Sequence, residues 1–278
     1  MAVIFLLPKV CVSISPDQAI ESGVWGSSPD RSRWGVHGQN EFRVRDTESA
    51  IDIFIMKELI RDRIWLHQYP VRFGPIRLHS RMTVIRLSDG SLWIHSPAPL
   101  DRALARELEA LGEVKHIVAP NASHHLNYAD FVGYFSDATG YHSPGLCSKF
   151  ATAGRYMVLD EGTEPWSKEI TGRFIGGIPL IDETIFYHSS SRSLIVTDLL
   201  FNMEASEPVL NRWLARILGV YRRPRMSRTM RLMIADKRAL AGSIRTLQQL
   251  EIDRIIPAHG CQTAFKRDPR SASKRDPL

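Results

Sequence analysis

Short, β-branched apolar runs recur through the chain, set apart by turn residues: Thr83–Leu87, Leu92–His95, Val114–Ala119, Thr184–His188, Ser193–Thr197 and Arg254–Ile256. Each is too short for a core helix and reads as a buried strand. Ser88-Asp89-Gly90 joins the first two runs as a hairpin, because glycine tolerates the positive φ such turns demand, and Ser189–Arg192 joins a second pair. Between the runs the apolar spacing becomes helical. Leu100, Ala103, Leu104, Leu108 and Leu111 line one face of Pro99–Leu111, and Gly112 stands where a cap belongs. Tyr128–Phe135 begins a second helix, and Tyr141–Leu146 a short strand or loop. Glu207–Leu218 predicts a helix with Trp213 on its apolar side, ended by Gly219. Asp236 caps a last helix whose Leu240, Ile244, Leu247 and Leu250 face the core. Ile51–Ile60 also has helical spacing. Strands alternating with helices predict a layered α/β architecture.

Three of the runs stop on residues that bind metal: Asn121-Ala122-Ser123-His124-His125 after the third strand, Asp198 after Thr197, and His259 between Ala258 and Gly260. In open α/β sheets, residues just past the strand ends converge on one crevice. Zinc accepts imidazole nitrogen and carboxylate oxygen, and a catalytic site needs three such ligands and an open position for water. Asp198, His259 and one of His124 and His125 supply that number; extended, the two adjacent histidines point opposite ways, so at most one of them faces the crevice. Asn121 and Ser123 suit orienting a water or a carbonyl, being poor zinc ligands, and His95 at another strand end is a third substrate-side candidate. The competing reading is structural: an aspartate at a strand end caps a loop by accepting backbone N–H bonds, and a histidine ties two loops together. Glu183 and His188 fall on opposite faces of one strand and are not partners; His188 reads as a hydrogen-bonder at the hairpin end.

The wording of these segments resembles a known group. Arg81–Leu87, Leu92–Pro97, Ile117–Asn121 with His124-His125, Thr197–Asn202 and Pro257–Gly260 are similar to the metallo-β-lactamase fold, and within it to an uncharacterised family known as a domain of unknown function. The resemblance implies a four-layer αββα sandwich with its active site at one edge of the paired sheets. It also implies a damaged site. Zinc hydrolases of the fold carry His-x-His-x-Asp-His where this chain has Asn121-Ala122-Ser123-His124-His125-Leu126, which on the simplest register leaves His125 in the aspartate's place. A further histidine is replaced at Gly177-Ile178-Pro179, whereas Asp198 and His259 match the bridging aspartate and the last histidine. No cofactor follows with certainty; zinc, manganese and iron are the ions implied.

Composition narrows the remaining classes. The 278 residues are 44% hydrophobic and 9% aromatic, ordinary for one globular core. No stretch approaches the roughly 18 consecutive apolar residues of a membrane span. Cys11, Cys147 and Cys261 form neither an even set nor a C-x-x-C pair, which suits a reducing, cytoplasmic setting. Phosphate-loop, dinucleotide and G-x-S-x-G motifs are absent from the sequence. The net charge of +6 is concentrated: Arg222–Arg238 holds seven basic residues against Asp236, which keeps nucleic acid among the partners beside a small-molecule ligand.

The sequence thus predicts an α/β sandwich over residues 61–262, a poorly defined extension over 1–60 and a basic, disordered tail over 263–278. Two functions fit: a non-catalytic or metal-altered relative of the fold, and a metal-dependent hydrolase of a small ester, thioester or phosphoester.

Overall fold

Side-chain alternation along the strands decides the architecture. The computed structural model of the protein describes residues 56–73, 76–150, 154–204 and 208–264. On strand β4 (Leu92–His95), Leu92 and Ile94 join one apolar cluster and Trp93 another. On β10 (Ser193–Val196), Leu194 and Val196 face outward to a third cluster while Ile195 shares the cluster of Trp93. Successive residues of a strand point to opposite faces, so both sheets are apolar on both sides and need cover on both. The result is a four-layer αββα sandwich.

The first sheet runs in chain order: β1 (Lys57–Ile60), β2 (Ile64–Phe73), β3 (Ile76–Arg86), β4, β5 (Val114–Ala119), β6 (Thr139–His142) and β7 (Tyr156–Val158). It is antiparallel up to β4 and parallel from there to β7. Helices α1 (Arg102–Leu111) and α2 (Tyr128–Tyr134) cover its outer face with Leu104, Leu108 and Phe131. The second sheet has the order β12 (Thr263–Ala264), β11 (Arg254–Pro257), β10, β9 (Thr184–His188), β8 (Ile170–Phe174), with β10 and β11 parallel. Its outer face is covered by α4 (Arg228–Leu232) and α5 (Lys237–Gln248) through Met230 and Leu247. Between the sheets lie Trp93, Val118, Phe186, Ile195 and Ile256. Helix α3 (Val209–Leu218) sits apart, against β3 and the segment around Met203.

The described part of Ile51–Ile60 is not helical. Lys57–Ile60 pairs with β2 in antiparallel register, because a strand edge offers this segment backbone partners that an isolated turn of helix lacks. The sandwich therefore begins before residue 61 and runs through Ala264, while residues 1–55 and the basic tail from 265 lie outside the described residues. The first helix starts at Arg102 rather than Pro99, since Asp101 accepts the Leu104 N–H as its N-cap. Trp213 lies on the apolar side of α3, and that side is turned outward: Trp213 is 63% exposed, and the helix buries Asn211 and Ala215.

Candidate metal centre

The site forms where strand ends of both sheets meet. From the first sheet, β4 leads into Ser96 and β5 into Pro120–Asn127; from the second, β10 leads into Asp198 and β11 into His259. Two backbone bonds clamp the sheets together there, Thr184 N–H to Pro120 O at 2.9 Å and Ala122 N–H to Ile181 O at 3.0 Å.

Asn121 settles which histidine enters. Its Oδ1 accepts the N–H groups of Ser123 and His124, both at 2.8 Å, which folds the segment into a side-chain-closed turn. The segment is not extended, so strict alternation does not apply. His124 turns inward with Nε2 3.6 Å from Asp198 Oδ1. His125, which the simplest register favours as ligand, turns away, and its Nε2 lies 2.8 Å from Lys149 Nζ. His259 Nε2 reaches the same Asp198 Oδ1, also at 3.6 Å. One ligand atom from each of His124, Asp198 and His259 lies within 4.8 Å of the others, the only such group of three among the described residues.

Each group is oriented from behind. His259 Nδ1 donates to His79 O at 3.0 Å, and Phe201 stacks on its ring at 5.2 Å between centroids. His124 Nδ1 bonds Ser96 Oγ at 2.6 Å, and Ser96 holds a left-handed backbone, φ 55°, to present that hydroxyl. Asn121 Nδ2 donates to Asp198 Oδ2 at 2.8 Å, leaving Oδ1 for the two histidines. Histidine ligands are commonly held this way through their second nitrogen.

Electrostatics then bears on what the pocket could hold. Burial, with His124 beside it, lowers the His259 imidazole to about 4, so it is neutral at pH 7. Its single proton is on Nδ1, because a carbonyl oxygen only accepts. Nε2 therefore aims a lone pair at Asp198. Burial opposes ionisation of Asp198, yet the neighbouring His124 and the Asn121 amide hold its carboxyl down at about 2. A nitrogen lone pair and a carboxylate facing each other in a buried site repel unless a cation lies between them. The donor set of two imidazole nitrogens and a carboxylate oxygen fits zinc, and suits iron or manganese too.

Two further residues hold the frame. Glu183, buried beside β9, accepts the N–H groups of Thr197, Asp198 and Leu199 at 2.6, 3.1 and 2.7 Å. Burial and the neighbouring Asp198 carboxylate push its carboxyl up to about 7. Arg81, only 2% exposed, donates to Pro257 O and, at 2.6 Å, to Gly260 O, bracketing His259 from β3. An acid and an arginine inside runs of buried strand were the available signal, since neither is buried without partners.

The substrate-side candidates fare differently. Asn121 is consumed by the frame. Ser123 is exposed, and its N–H is the group that Asn121 accepts. His95 is buried between the sheets, stacked on Trp93 at 5.4 Å and edge-on to Phe186 at 5.5 Å. It packs the core behind the site. Ile178, at the turn the resemblance matches to a histidine, is buried in the cluster under α5.

Solved structures place this architecture among known ones. The chain is similar to a metallo-β-lactamase from Pontibacter korlensis, with TM-score 0.53, 13% identity, and 76% of this chain and 93% of that one covered. It is similar to the metallo-β-lactamase FIM-1 from Pseudomonas aeruginosa in its mono-zinc form, with TM-score 0.50, 12% identity, and 76% and 89% covered. It is also similar to a metal-soaked Flv1 flavodiiron core from Synechocystis, with TM-score 0.51, 8% identity, and 73% and 55% covered. At such identities the likeness is one of fold. No curated protein matches the sequence. The model of one family, described as a domain of unknown function (DUF4336), matches residues 61–231, and the chain belongs to that family.

Proposed function

We propose that this protein is a hydrolase of a small ester, thioester or phosphoester that works with one divalent metal ion, held by His124 Nε2, Asp198 Oδ1 and His259 Nε2. The observation that carries the reading is the convergence of His124, Asp198 and His259, one ligand atom of each lying within 4.8 Å of the others. Such an ion, when bound, supplies a Lewis acid and lowers the pKa of a bound water towards neutrality. The chain's own residues fix the geometry beforehand: His79 O and Ser96 Oγ set the two rings, Asn121 turns the carboxylate, and Glu183 and Arg81 hold the two loops. Prior orientation of this kind lowers the cost of assembling the site during turnover. A mono-zinc form exists among the similar metallo-β-lactamases, which agrees with a single set of three ligands.

A second reading is favoured by one observation. Glu183 and Asn121 hold Asp198 in place through hydrogen bonds that need no metal, as a binding protein that kept the crevice without catalysis would require. Asp198→Ala separates the two. For the hydrolase, the variant loses both its metal and the cleavage of a panel of nitrophenyl esters, thioesters and phosphodiesters. For a binding protein, the metal-free parent and variant are equally inactive, and the variant is destabilised by roughly 1–3 kcal/mol through the lost hydrogen bond from the Asn121 amide to the charged Asp198 carboxylate.

A further inference from the structure

Helix α3 presents its apolar side outward. The positions it buries are Asn211 and Ala215, and Ala215 packs with Met203 and Val220, against which Leu78 also rests. Val209, Leu210, Trp213 and Ile217 are 61, 61, 63 and 55% exposed. At about 100° per residue these four occupy a single arc roughly 100° wide, opposite Asn211 and Ala215. A contiguous apolar face of this kind, turned to solvent, marks a contact surface.

The charges around it select the partner. From Glu204 to Asp236 the chain carries seven arginines against three acidic residues, Glu204, Glu207 and Asp236. Arg216 lies on α3 itself, exposed, with its guanidinium 4.0 Å over the Tyr221 ring. Arg222 and Arg223 follow the helix and are exposed. Arg228 closes on its end, where a Cβ built on the capping Gly219 would lie 3.6 Å from Arg228 Nε. A second copy docking through the same stripe would set these arginines against their own kind, which disfavours a symmetric dimer. An anionic bilayer surface matches both features. Its phosphates accept from guanidinium forks, and its headgroup boundary receives an apolar helix face with a tryptophan. No helix among the described residues is long and apolar enough to cross a membrane, so the contact is peripheral.

We propose that α3, with Arg216, Arg222 and Arg223 beside it, is a docking face for an anionic lipid surface. The test is co-sedimentation of the full chain with vesicles of phosphatidylcholine alone and of phosphatidylcholine mixed with phosphatidylglycerol. Binding is expected only to the mixed vesicles and is weakened by added salt. Trp213→Ser, Ile217→Ser and the pair Arg222→Gln with Arg223→Gln should each reduce it by about tenfold or more. These side chains are exposed, so the variants should melt with the parent. Undiminished binding by a Trp213→Ser, Ile217→Ser double variant would overturn the proposal, since arginines alone would then suffice. So would failure to bind mixed vesicles, whether a dimer dissolved by the same substitutions or capture by an acidic polypeptide or a nucleic acid appears in its place.

Discussion

At the candidate metal site two imidazoles are tied at Nδ1 and turn Nε2 towards the same carboxylate oxygen of Asp198. The same side chains placed without those ties would sample several tautomers and rotamers, and metal affinity would fall accordingly. Ser96→Ala removes one tie without touching a ligand and should weaken metal binding by roughly 10-fold to 100-fold, read by competition with a chromogenic chelator; an unchanged affinity would show that His124 needs no anchor. The adjacent histidines give a sharper contrast. His124→Ala should abolish tight metal binding, and His125→Ala should leave it intact, because His125 faces Lys149. The reverse pattern would restore the register in which His125 is the ligand. Here the limit of the sequence is concrete. That Asp198 and His259 stand at neighbouring strand ends was legible, because β-branched runs announce where strands stop. The choice of His124 was not, since it depends on Asn121 folding its own segment into a turn, and alternation describes only extended chain.

Among the elements, the loop after β11 shows how backbone shape serves the site. Gly260 has φ +86° and pairs with Asn202, and a Cβ there would collide with the Asn202 carbonyl. Only glycine brings His259 this close to the segment after β10. Gly260→Ala should therefore cost roughly 2–4 kcal/mol in urea unfolding and displace His259, lowering metal affinity in the same protein. Normal stability with normal affinity would mean that the loop has room to yield. The hairpins and most helices were readable because turn chemistry and period agree in them. One element was not. Lys57–Ile60 carries helical spacing yet is an edge strand, because β2 supplies hydrogen-bond partners from elsewhere in the chain. Helix α3 was placed correctly with Trp213 on its apolar side, but period identifies an apolar side without saying whether a protein core or something outside the molecule covers it.

For the molecule as a whole, burial of uncharged histidines makes stability depend on pH, apart from any metal. Burial holds the imidazole of His95 down at about 3 and those of His116 and His188 at about 4. In the unfolded chain the same groups protonate near 6.5. Between these values the unfolded state binds more protons, so stability rises with pH there and falls as pH drops from 6.5 towards 4. Thermal melting of the protein in chelator should show a midpoint that declines steadily over that window. A flat profile would mean that these rings are already charged, or exposed, in the fold. The two-sheet frame itself was anticipated from pattern and resemblance together. Glu183 and Arg81 were not, because their partners are backbone groups 14 to 179 residues away, which no local spacing encodes. The most direct test of the metal centre is titration of the chelator-treated protein with zinc, followed by metal analysis after gel filtration. One ion per chain, retained by the parent and lost in His259→Ala, is the expected result. A parent that retains no zinc, manganese or iron under reducing conditions would contradict it.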